Sequence, residues 1–283
     1  KGVINIPIKF LLNNYDKYKF DKIISSNDPT IFNYYKSSEN FLWIHNKLQI
    51  EKSIRKGKFF SILRNKIFSI FVSKYLDNKT SQIYNFKKRF VIPNFLDPKF
   101  ENLPFNKVRK PYFVWSVQRS KGLNEIIKQW KKSVFSKNNK LKLFIFGINK
   151  KSSITYNVKN LKKFNIFFKG RVNKKILINY YLNSMGMICL GYDETFCLNA
   201  IESFSCGLPI ITFGHTAVSE ISNKKNSILV SSFDEIPDQI LKLNNMKTVA
   251  RSKLINNCIK FSKNYYLKSL INIWYKSLSI QKI

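Results

Sequence analysis

Residues 191–220, GYDETFCLNAIESFSCGLPIITFGHTAVSE, hold the pattern that decides the fold. The apolar run at 185–190 predicts a buried strand before them, and a helix is expected to begin near Leu198. Glu194 then lies on the strand-to-helix loop, and Glu202 lies about one turn or more inside the helix. Seven residues separate these two carboxylates in the sequence.

The beginning of this helix predicts a site for an anion. The first N–H groups of a helix lack partners within it, and the positive end of the helix dipole attracts phosphate. Glu202 would face the ligand side of the helix, where a carboxylate accepts hydrogen bonds from sugar hydroxyls. Because carboxylates are poor phosphate ligands, their presence beside an anion site indicates a ligand with both phosphate and hydroxyl groups. A nucleotide sugar has both.

Five motifs in order carry a resemblance to a known family. They are VIPNFLD at 91–97, FVWSVQRSKGL at 113–123, LFIFG at 143–147, IFFKGRV at 166–172, and the two spaced glutamates followed by SFSCGLPIIT at 203–212 and Glu220. Together they resemble GT-B glycosyltransferases of the family 4 type, the glycosyl transferases group 1. The motifs lie in roughly the last two-thirds of the chain.

The resemblance implies an α/β fold of the GT-B type, with two Rossmann-like, doubly wound parallel-sheet domains that face a cleft. Residues 1–95 would form the acceptor-side domain, and 96–283 the nucleotide-sugar domain with a terminal helix that crosses back. The chain begins at Lys1 rather than at Met, and no glycine-rich turn is found before Asp21. We therefore expect the first domain to be incomplete through truncation or reduction. Apolar runs in the second domain predict strands near 112–117, 142–147, 164–169, 186–190, 208–212 and 227–230.

The resemblance also assigns roles to residues. The catalytic set is His45, Arg119, Lys121 and Glu194, and the donor-binding set is Ser116, Gly147, Gly170, Arg171, Val172, Thr195, Phe196, Cys197, Leu198 and Glu202. Lys121, together with Arg119, would neutralise the departing diphosphate, as would the helix that begins at Leu198. Glu202 would hold the ribose, and Glu194 would contact hydroxyls of the donor sugar.

The sequence departs from the family pattern at three places. Cys197 stands where many relatives have Gly, and Ser203 stands where Ala is usual. The basic loop is short, with Arg119 only two residues before Lys121.

His45, at the end of the run FLWIH, is the first domain's candidate for facing the transferred sugar. The same position also suits a loop His whose hydrogen bonds are satisfied locally.

The implied reaction is retaining transfer of a sugar from a nucleoside diphosphate sugar to a glycan or lipid-linked acceptor in cell-surface polysaccharide synthesis. We expect no cofactor and no metal, because cationic and dipolar groups take the place of a metal in such relatives. The sequence has only two His residues and no D-x-D or H-x-x-x-H motif. A catalytically incomplete nucleotide-binding GT-B protein remains an alternative.

The charge allows other partners. With 50 Lys and Arg against 16 Asp and Glu, the net charge is +34, which also suits a basic, nonenzymatic nucleic-acid-binding protein. Lys is spread along the whole chain, however, which argues against a nucleic-acid surface. Residues 55–76, RKGKFFSILRNKIFSIFVSKYL, are basic and have apolar residues at helical spacing. They predict a helix that covers the first sheet, holds the protein to an anionic membrane surface, or does both.

Four cysteines without a C-x-x-C pair predict reduced thiols, as in a cytoplasmic protein. They are Cys189, Cys197, Cys206 and Cys258. The basic stretch 55–76 adds the expectation of a peripheral location at the inner face of the membrane. The longest uncharged runs contain Asn, Ser, Gly or Pro, so we expect no segment that spans a bilayer.

Overall fold

The chain divides into two compact units, Lys1–Pro93 and Asn94–Ile283. The division lies close to the boundary after residue 95 that the sequence suggests. The computed structural model describes residues 8–14, 19–35, 37, 39–47, 51–52, 56–104, 108–116, 122–137, 140–148, 158–191 and 194–278.

The first unit has a parallel sheet with the strand order β1-β2-β3-β4. Its strands are β1 (Lys22–Ser26), β2 (Glu39–Ile44), β3 (Phe68–Phe71) and β4 (Arg89–Val91), and its helices are α1 (Ile8–Asn13), α2 (Phe59–Arg64) and α3 (Lys74–Lys79). Neighbouring strands are also consecutive in the chain, which is the arrangement of one half of a doubly wound sheet. The buried side chains of β2 and β3, such as Leu42 and Ile70, form the core.

The prediction of one helix over residues 55–76 is wrong. In the part of the segment that the structure describes, α2 is followed by β3 and then by the start of α3. Lys66 adopts a left-handed backbone with φ 45°, which a helix cannot continue through. Ile67 and Phe71 are fully buried, whereas the Phe60 side chain is 63% exposed. A buried parallel strand is apolar throughout, so its pattern cannot be told from that of a short helix by spacing.

The second unit has a six-stranded parallel sheet with the order β10-β9-β8-β5-β6-β7. The strands are β5 (Tyr112–Trp115), β6 (Lys142–Phe146), β7 (Ile166–Gly170), β8 (Gly186–Ile188), β9 (Ile210–Phe213) and β10 (Ser227–Val230). All six predicted strands are confirmed, with ends that differ by at most two residues. The order reverses between β5 and β8, and ligands of such sheets bind at the carboxyl ends of the strands beside this reversal.

The helices of the second unit lie between and after these strands. They are α4 (Leu123–Lys132), α5 (Val134–Lys137), α6 (Val158–Lys162), α7 (Lys174–Asn183), α8 (Leu198–Ser205), α9 (Ile236–Asn244), α10 (Thr248–Ser262) and α11 (Leu267–Leu278). The predicted terminal helix is therefore present as α11, while its crossing to the first domain remains a prediction. Among the described residues, none of the helices has both the length and the apolar character needed to cross a membrane.

A buried cation joins α7 to α8 at their carboxyl ends. The Arg109 guanidinium donates hydrogen bonds to the carbonyl oxygens of Tyr181 and Leu182, at 3.0 and 2.5 Å, where α7 ends. It also donates to the carbonyl oxygens of Cys206 and Gly207, at 3.0 and 3.1 Å, where α8 ends. The last carbonyls of a helix lack partners within it, and they carry partial negative charge. Arg109 therefore satisfies both ends at once and fixes the two helices relative to each other.

Candidate functional site

The end of β5 is tied to the first turn of α8 at the point where the strand order reverses. Ser116 follows β5, and its carbonyl oxygen accepts a hydrogen bond from the Asn199 side-chain amide. The Ser116 hydroxyl is hydrogen-bonded to the Tyr181 hydroxyl and lies 3.4 Å from the Met187 sulfur. Burial raises the pKa of the Tyr181 phenol well above 10, so this hydroxyl stays neutral. Ser116, α7 and α8 thus meet at one place.

The N-terminus of α8 opens toward the surface while the rest of the helix is buried. Leu198 is 39% exposed, whereas residues 200–205 are buried. Cys197 precedes the helix with a left-handed backbone, φ 64°, and within the described part of the chain no side chain caps the helix there. A left-handed backbone favours Gly, which explains why Gly is usual at this position in the relatives that the sequence resembles. The first N–H groups of α8 therefore suit an anion.

Two cysteine sulfurs meet beneath this loop. The Cys189 and Cys197 sulfurs are 3.2 Å apart, and both side chains are buried and free of disulfides. Next to them, Phe196 packs its ring 5.8 Å from the ring of Tyr265. These contacts hold the loop between β8 and α8 to the body of the second unit.

Glu194 and Thr195 lie on the same loop, directly before Phe196. Glu194 is buried and Thr195 is half-buried. The predicted phosphate-binding residues Arg119 and Lys121 lie outside the described residues, so their role stays a prediction.

The carboxyl ends of β6 and β7 are joined by their glycines. The Gly147 N–H donates a hydrogen bond to the Gly170 carbonyl oxygen at 2.8 Å, and both residues have positive φ, 82° and 68°. Arg171 is exposed and Val172 is half-buried, and Asn173 separates them from α7. The four residues therefore form one edge of the carboxyl-end surface on which Ser116 also lies.

Glu202 lies in an ion cluster with two residues that the sequence motifs do not assign to the site. The Lys174 ammonium is 3.8 Å from Glu202 Oε1 and 2.5 Å from Asp97 Oδ2. Burial raises the pKa of Glu202 to about 7, Lys174 opposes this shift, and Asp97 adds to it. The hydrogen bond from Lys174 lowers the pKa of Asp97 below its ordinary value. A carboxylate that is 9% exposed is thus held beside a paired lysine.

His45 lies in the first unit. It follows β2, and its backbone N–H donates a hydrogen bond to Asn27 Oδ1 at 2.8 Å. The imidazole packs 4.4 Å from the Trp43 ring, between ring centroids. Burial lowers the pKa of His45 below its ordinary value of 6.5, so the ring is neutral at pH 7. The predicted position at a strand end is found, and the role of His45 stays a prediction.

A known protein family matches the part of the chain that holds the candidate donor site. The sequence matches the family described as Glycosyl transferases group 1 over residues 97–264, more than half of the chain. The chain belongs to this family. The matched segment includes every residue of the predicted donor-binding set. No curated protein sequence matches the chain.

Solved structures resemble this group 1 chain in fold. TarM has a TM-score of 0.70 and 19% identity, over 90% of this chain and 54% of TarM. The pneumococcal O-GlcNAc transferase GtfA, in complex with UDP and GlcNAc, has a TM-score of 0.70 and 17% identity, over 96% of this chain and 59% of GtfA. Sucrose-phosphate synthase from Thermosynechococcus elongatus has a TM-score of 0.70 and 15% identity, over 97% of this chain and 80% of the synthase.

These similarities confirm that the fold is of the GT-B type. The group 1 chain spans little more than half the length of TarM and GtfA. Within the part that the structure describes, no group of three or more His, Cys, Asp or Glu side chains is placed to ligate a metal ion.

Several residues that shape this site could not be assigned to it from the sequence. Asn199 carried no local signal, because its amide bonds the Ser116 carbonyl oxygen, 83 residues away in the sequence. Lys174 carried no signal, because it is one of many lysines in the chain. Arg109 and Tyr181 contact residues that are far away in the sequence, and no local pattern predicts such contacts.

Proposed function

We propose that this group 1 chain is a retaining glycosyltransferase. It moves a sugar from a nucleoside diphosphate sugar to a hydroxyl of a glycan or lipid-linked acceptor in cell-surface polysaccharide synthesis. One observation carries the donor class: the buried carboxylate of Glu202 lies on the helix whose uncapped N-terminus begins at Leu198. This short helix therefore offers a carboxylate that accepts hydrogen bonds from hydroxyls and an N-terminus that attracts an anion. Together they suit a ribose joined to a diphosphate.

In this proposal the diphosphate binds at the start of α8. The N–H groups near Leu198 and the helix dipole attract it, and Lys121, with Arg119, adds positive charge from the loop after β5. Negative charge grows on the diphosphate as the glycosidic bond breaks. Hydrogen-bond donors and positive charges that are already in position stabilise the departing diphosphate more than they stabilise the bound nucleotide sugar. They therefore accelerate the reaction. No metal or other cofactor is needed for this step.

The other donor contacts follow from the same placement. Glu202 accepts hydrogen bonds from the ribose hydroxyls, and Glu194 contacts hydroxyls of the donor sugar. Gly147, Gly170 and the two residues that follow Gly170 line the side on which the base lies, where glycine allows close approach. Ser116 and the loop 195–197 complete the floor of the site.

His45 is proposed to face the transferred sugar from the acceptor-side domain. Because burial lowers the pKa of this His, its neutral ring presents one donor and one acceptor nitrogen at pH 7. Such a ring can hold a sugar hydroxyl in place without adding charge. The acceptor then attacks from the face on which the diphosphate departs, which retains the anomeric configuration.

The protein is proposed to work in the cytoplasm, at the inner face of the membrane. Phe60 and Leu63 are exposed on α2, between the basic residues Lys58 and Arg64. Apolar and basic side chains together favour a surface of anionic lipid. A lipid-linked acceptor would be presented at such a surface.

The first test is thermal stabilisation of the purified chain by UDP, GDP and ADP and by their common sugar conjugates. One nucleotide is expected to raise the melting temperature, and Glu202→Ala is expected to remove the shift. Asp238→Ala, an exposed acidic residue on α9, is the matched control and should keep it. If no nucleotide stabilises the chain, the proposed donor site is wrong.

Two further outcomes distinguish the alternatives. Nucleotide binding without sugar transfer to any acceptor would support a catalytically incomplete GT-B protein. Salt-dependent binding to generic oligonucleotides that Glu202→Ala leaves unchanged would support the nucleic-acid alternative instead.

A further inference from the structure

The ion cluster of Asp97, Lys174 and Glu202 joins three segments of the second unit. Lys174 is the first residue of α7, and Glu202 is in α8. Asp97 also accepts a hydrogen bond from the Lys99 N–H at 2.9 Å, which caps a short turn of helix, Pro98–Phe100. The cluster therefore places one fixed cation beside the carboxylate that the proposed function assigns to the ribose.

Lys174 is held in a defined position although its side chain is 43% exposed. Its ammonium is 2.5 Å from Asp97 Oδ2 and 5.7 Å from the centre of the Phe100 ring. An ion pair and a cation–π contact together restrict a side chain that is otherwise flexible. The restricted ammonium lies on the side of Glu202 Oε1.

The distance between Lys174 and Glu202 matters for the chemistry. At 3.8 Å the ammonium attracts the carboxylate charge but is too far away for a hydrogen bond. The lone pairs of the carboxylate therefore remain available to ligand hydroxyls. A closer lysine would compete with the ligand for the same oxygens.

The groups that face Glu202 decide its ionisation. Tyr181 on α7 and Cys206 after α8 lie near it, and burial raises the pKa of both, that of Cys206 to about 12, so both are neutral at pH 7. Among the residues that the structure describes, Lys174 and Asp97 are the charged groups that act on its pKa. Burial favours the protonated carboxyl, and Lys174 favours the ionised form.

We propose that Lys174 is a positioning residue of the donor site, which is held by Asp97 and favours the ionised form of Glu202, whose carboxylate accepts hydrogen bonds from ribose hydroxyls. This inference rests on the proposed function. A protonated carboxyl has a donor hydrogen and fewer acceptor sites, so it binds a pair of hydroxyls less well. Nucleotide affinity is then set by the charge of Lys174, without contact between Lys174 and the nucleotide.

The test measures the affinity of UDP, GDP and ADP by calorimetry between pH 5.5 and 8.5. For the wild-type chain, affinity for the nucleotide that binds is expected to fall on acidification. Lys174→Met is expected to move the midpoint of that fall to higher pH and to weaken binding at pH 7 by roughly three- to tenfold. Near pH 8.5 the two proteins should bind alike. Lys174→Arg should restore the wild-type profile, and Lys175→Met, the next residue of α7, should not change it.

The outcomes separate the two hypotheses. If the wild-type chain binds a nucleotide but Lys174→Met leaves the midpoint of the pH profile unchanged, the role of Lys174 is overturned while the donor site stands. Equal weakening at all pH values would also overturn it, because a structural defect does not follow the ionisation of Glu202. If the wild-type chain binds none of the three nucleotides, the proposed function and this inference both fail. Circular dichroism of each variant establishes that it is folded.

Discussion

The Arg109 guanidinium and the Gly207 carbonyl oxygen lie 3.1 Å apart, at the end of α8 that is opposite to Leu198. Burial lowers the pKa of Arg109 to about 10, so the guanidinium remains charged at pH 7. One buried cation thus meets the negative ends of the α7 and α8 dipoles. The candidate site at the other end of α8 depends on this anchor for its position.

Replacing Arg109 with Met is expected to destabilise the protein strongly. Four carbonyl groups would lose the Arg109 donor, although the Tyr181 carbonyl would keep the Ser184 N–H at 3.3 Å. Each buried group that is left unsatisfied costs about 1 kcal/mol or more. We expect the free energy of unfolding, measured by urea denaturation, to fall by roughly 3 to 5 kcal/mol. Lys110→Met, at the exposed neighbouring position, should change it by less than about 0.5 kcal/mol. Equal losses in both variants would contradict the anchoring role.

Replacing Gly207 with Ala tests the close approach at the same helix end. Gly207 has φ +65°, and a Cβ there would lie 2.6 Å from Ile255 Cγ2 and 3.0 Å from Arg109 Nη2. Backbone strain and the clash together are expected to lower the free energy of unfolding by about 2 kcal/mol or more. Gly214→Ala is the control, because a Cβ at that position meets nothing within 4 Å. A loss of similar size in Gly214→Ala would show that the clash is not the cause.

Glu202 predicts a specific dependence of stability on pH. Its pKa in the folded protein is about 7, above the ordinary value of 4.5, so the folded state binds the proton more tightly than the unfolded state. The free energy of unfolding should therefore fall as the pH rises from 4.5 through 7, by up to about 3 kcal/mol from this group.

Glu202→Gln lacks this contribution. Relative to the wild type, the variant should become more stable as the pH rises over the same window, as measured by urea denaturation at several pH values. Asp238→Asn, on the exposed side of α9, removes one negative charge elsewhere and serves as the control. A constant difference between Glu202→Gln and the wild type across this window would disprove the shifted ionisation.

Cys189 and Cys197 are expected to form a disulfide when the protein is treated with diamide. Their sulfurs are 3.2 Å apart, and a disulfide needs about 2.05 Å, so a small movement of the loop before α8 suffices. Peptide mapping by mass spectrometry should detect the linked pair, with loss of two hydrogen atoms to the oxidant. A Cys206→Ser/Cys258→Ser double variant should still form the bond, whereas Cys197→Ser should not. Preferential linkage to Cys206 or Cys258 would count against the observed arrangement.

Much of the second unit could be predicted from the sequence. Its strands are apolar runs between glycine- and asparagine-rich turns, and the helix from Leu198 to Ser205 lies where the two spaced glutamates indicate. The prediction failed at residues 55–76. Apolar residues there follow a helical spacing, although Phe60 lies in α2 and Phe71 lies in β3. Spacing alone cannot distinguish a buried strand from a short helix, and only the pairing of β3 with β2 decides between them.

The sequence by itself determined the order of strands and helices in the second unit, the family and the positions of Glu194 and Glu202. These features depend on local patterns of apolar, glycine and acidic residues, which a linear chain displays. Only the tertiary structure decided that Lys174 and Asp97 lie near Glu202 and that Arg109 donates hydrogen bonds to the carboxyl ends of α7 and α8. Asp97, Lys174 and Glu202 belong to distant segments that meet at the Lys174 ammonium, and the burial that raises the Glu202 pKa exists only once those segments pack together.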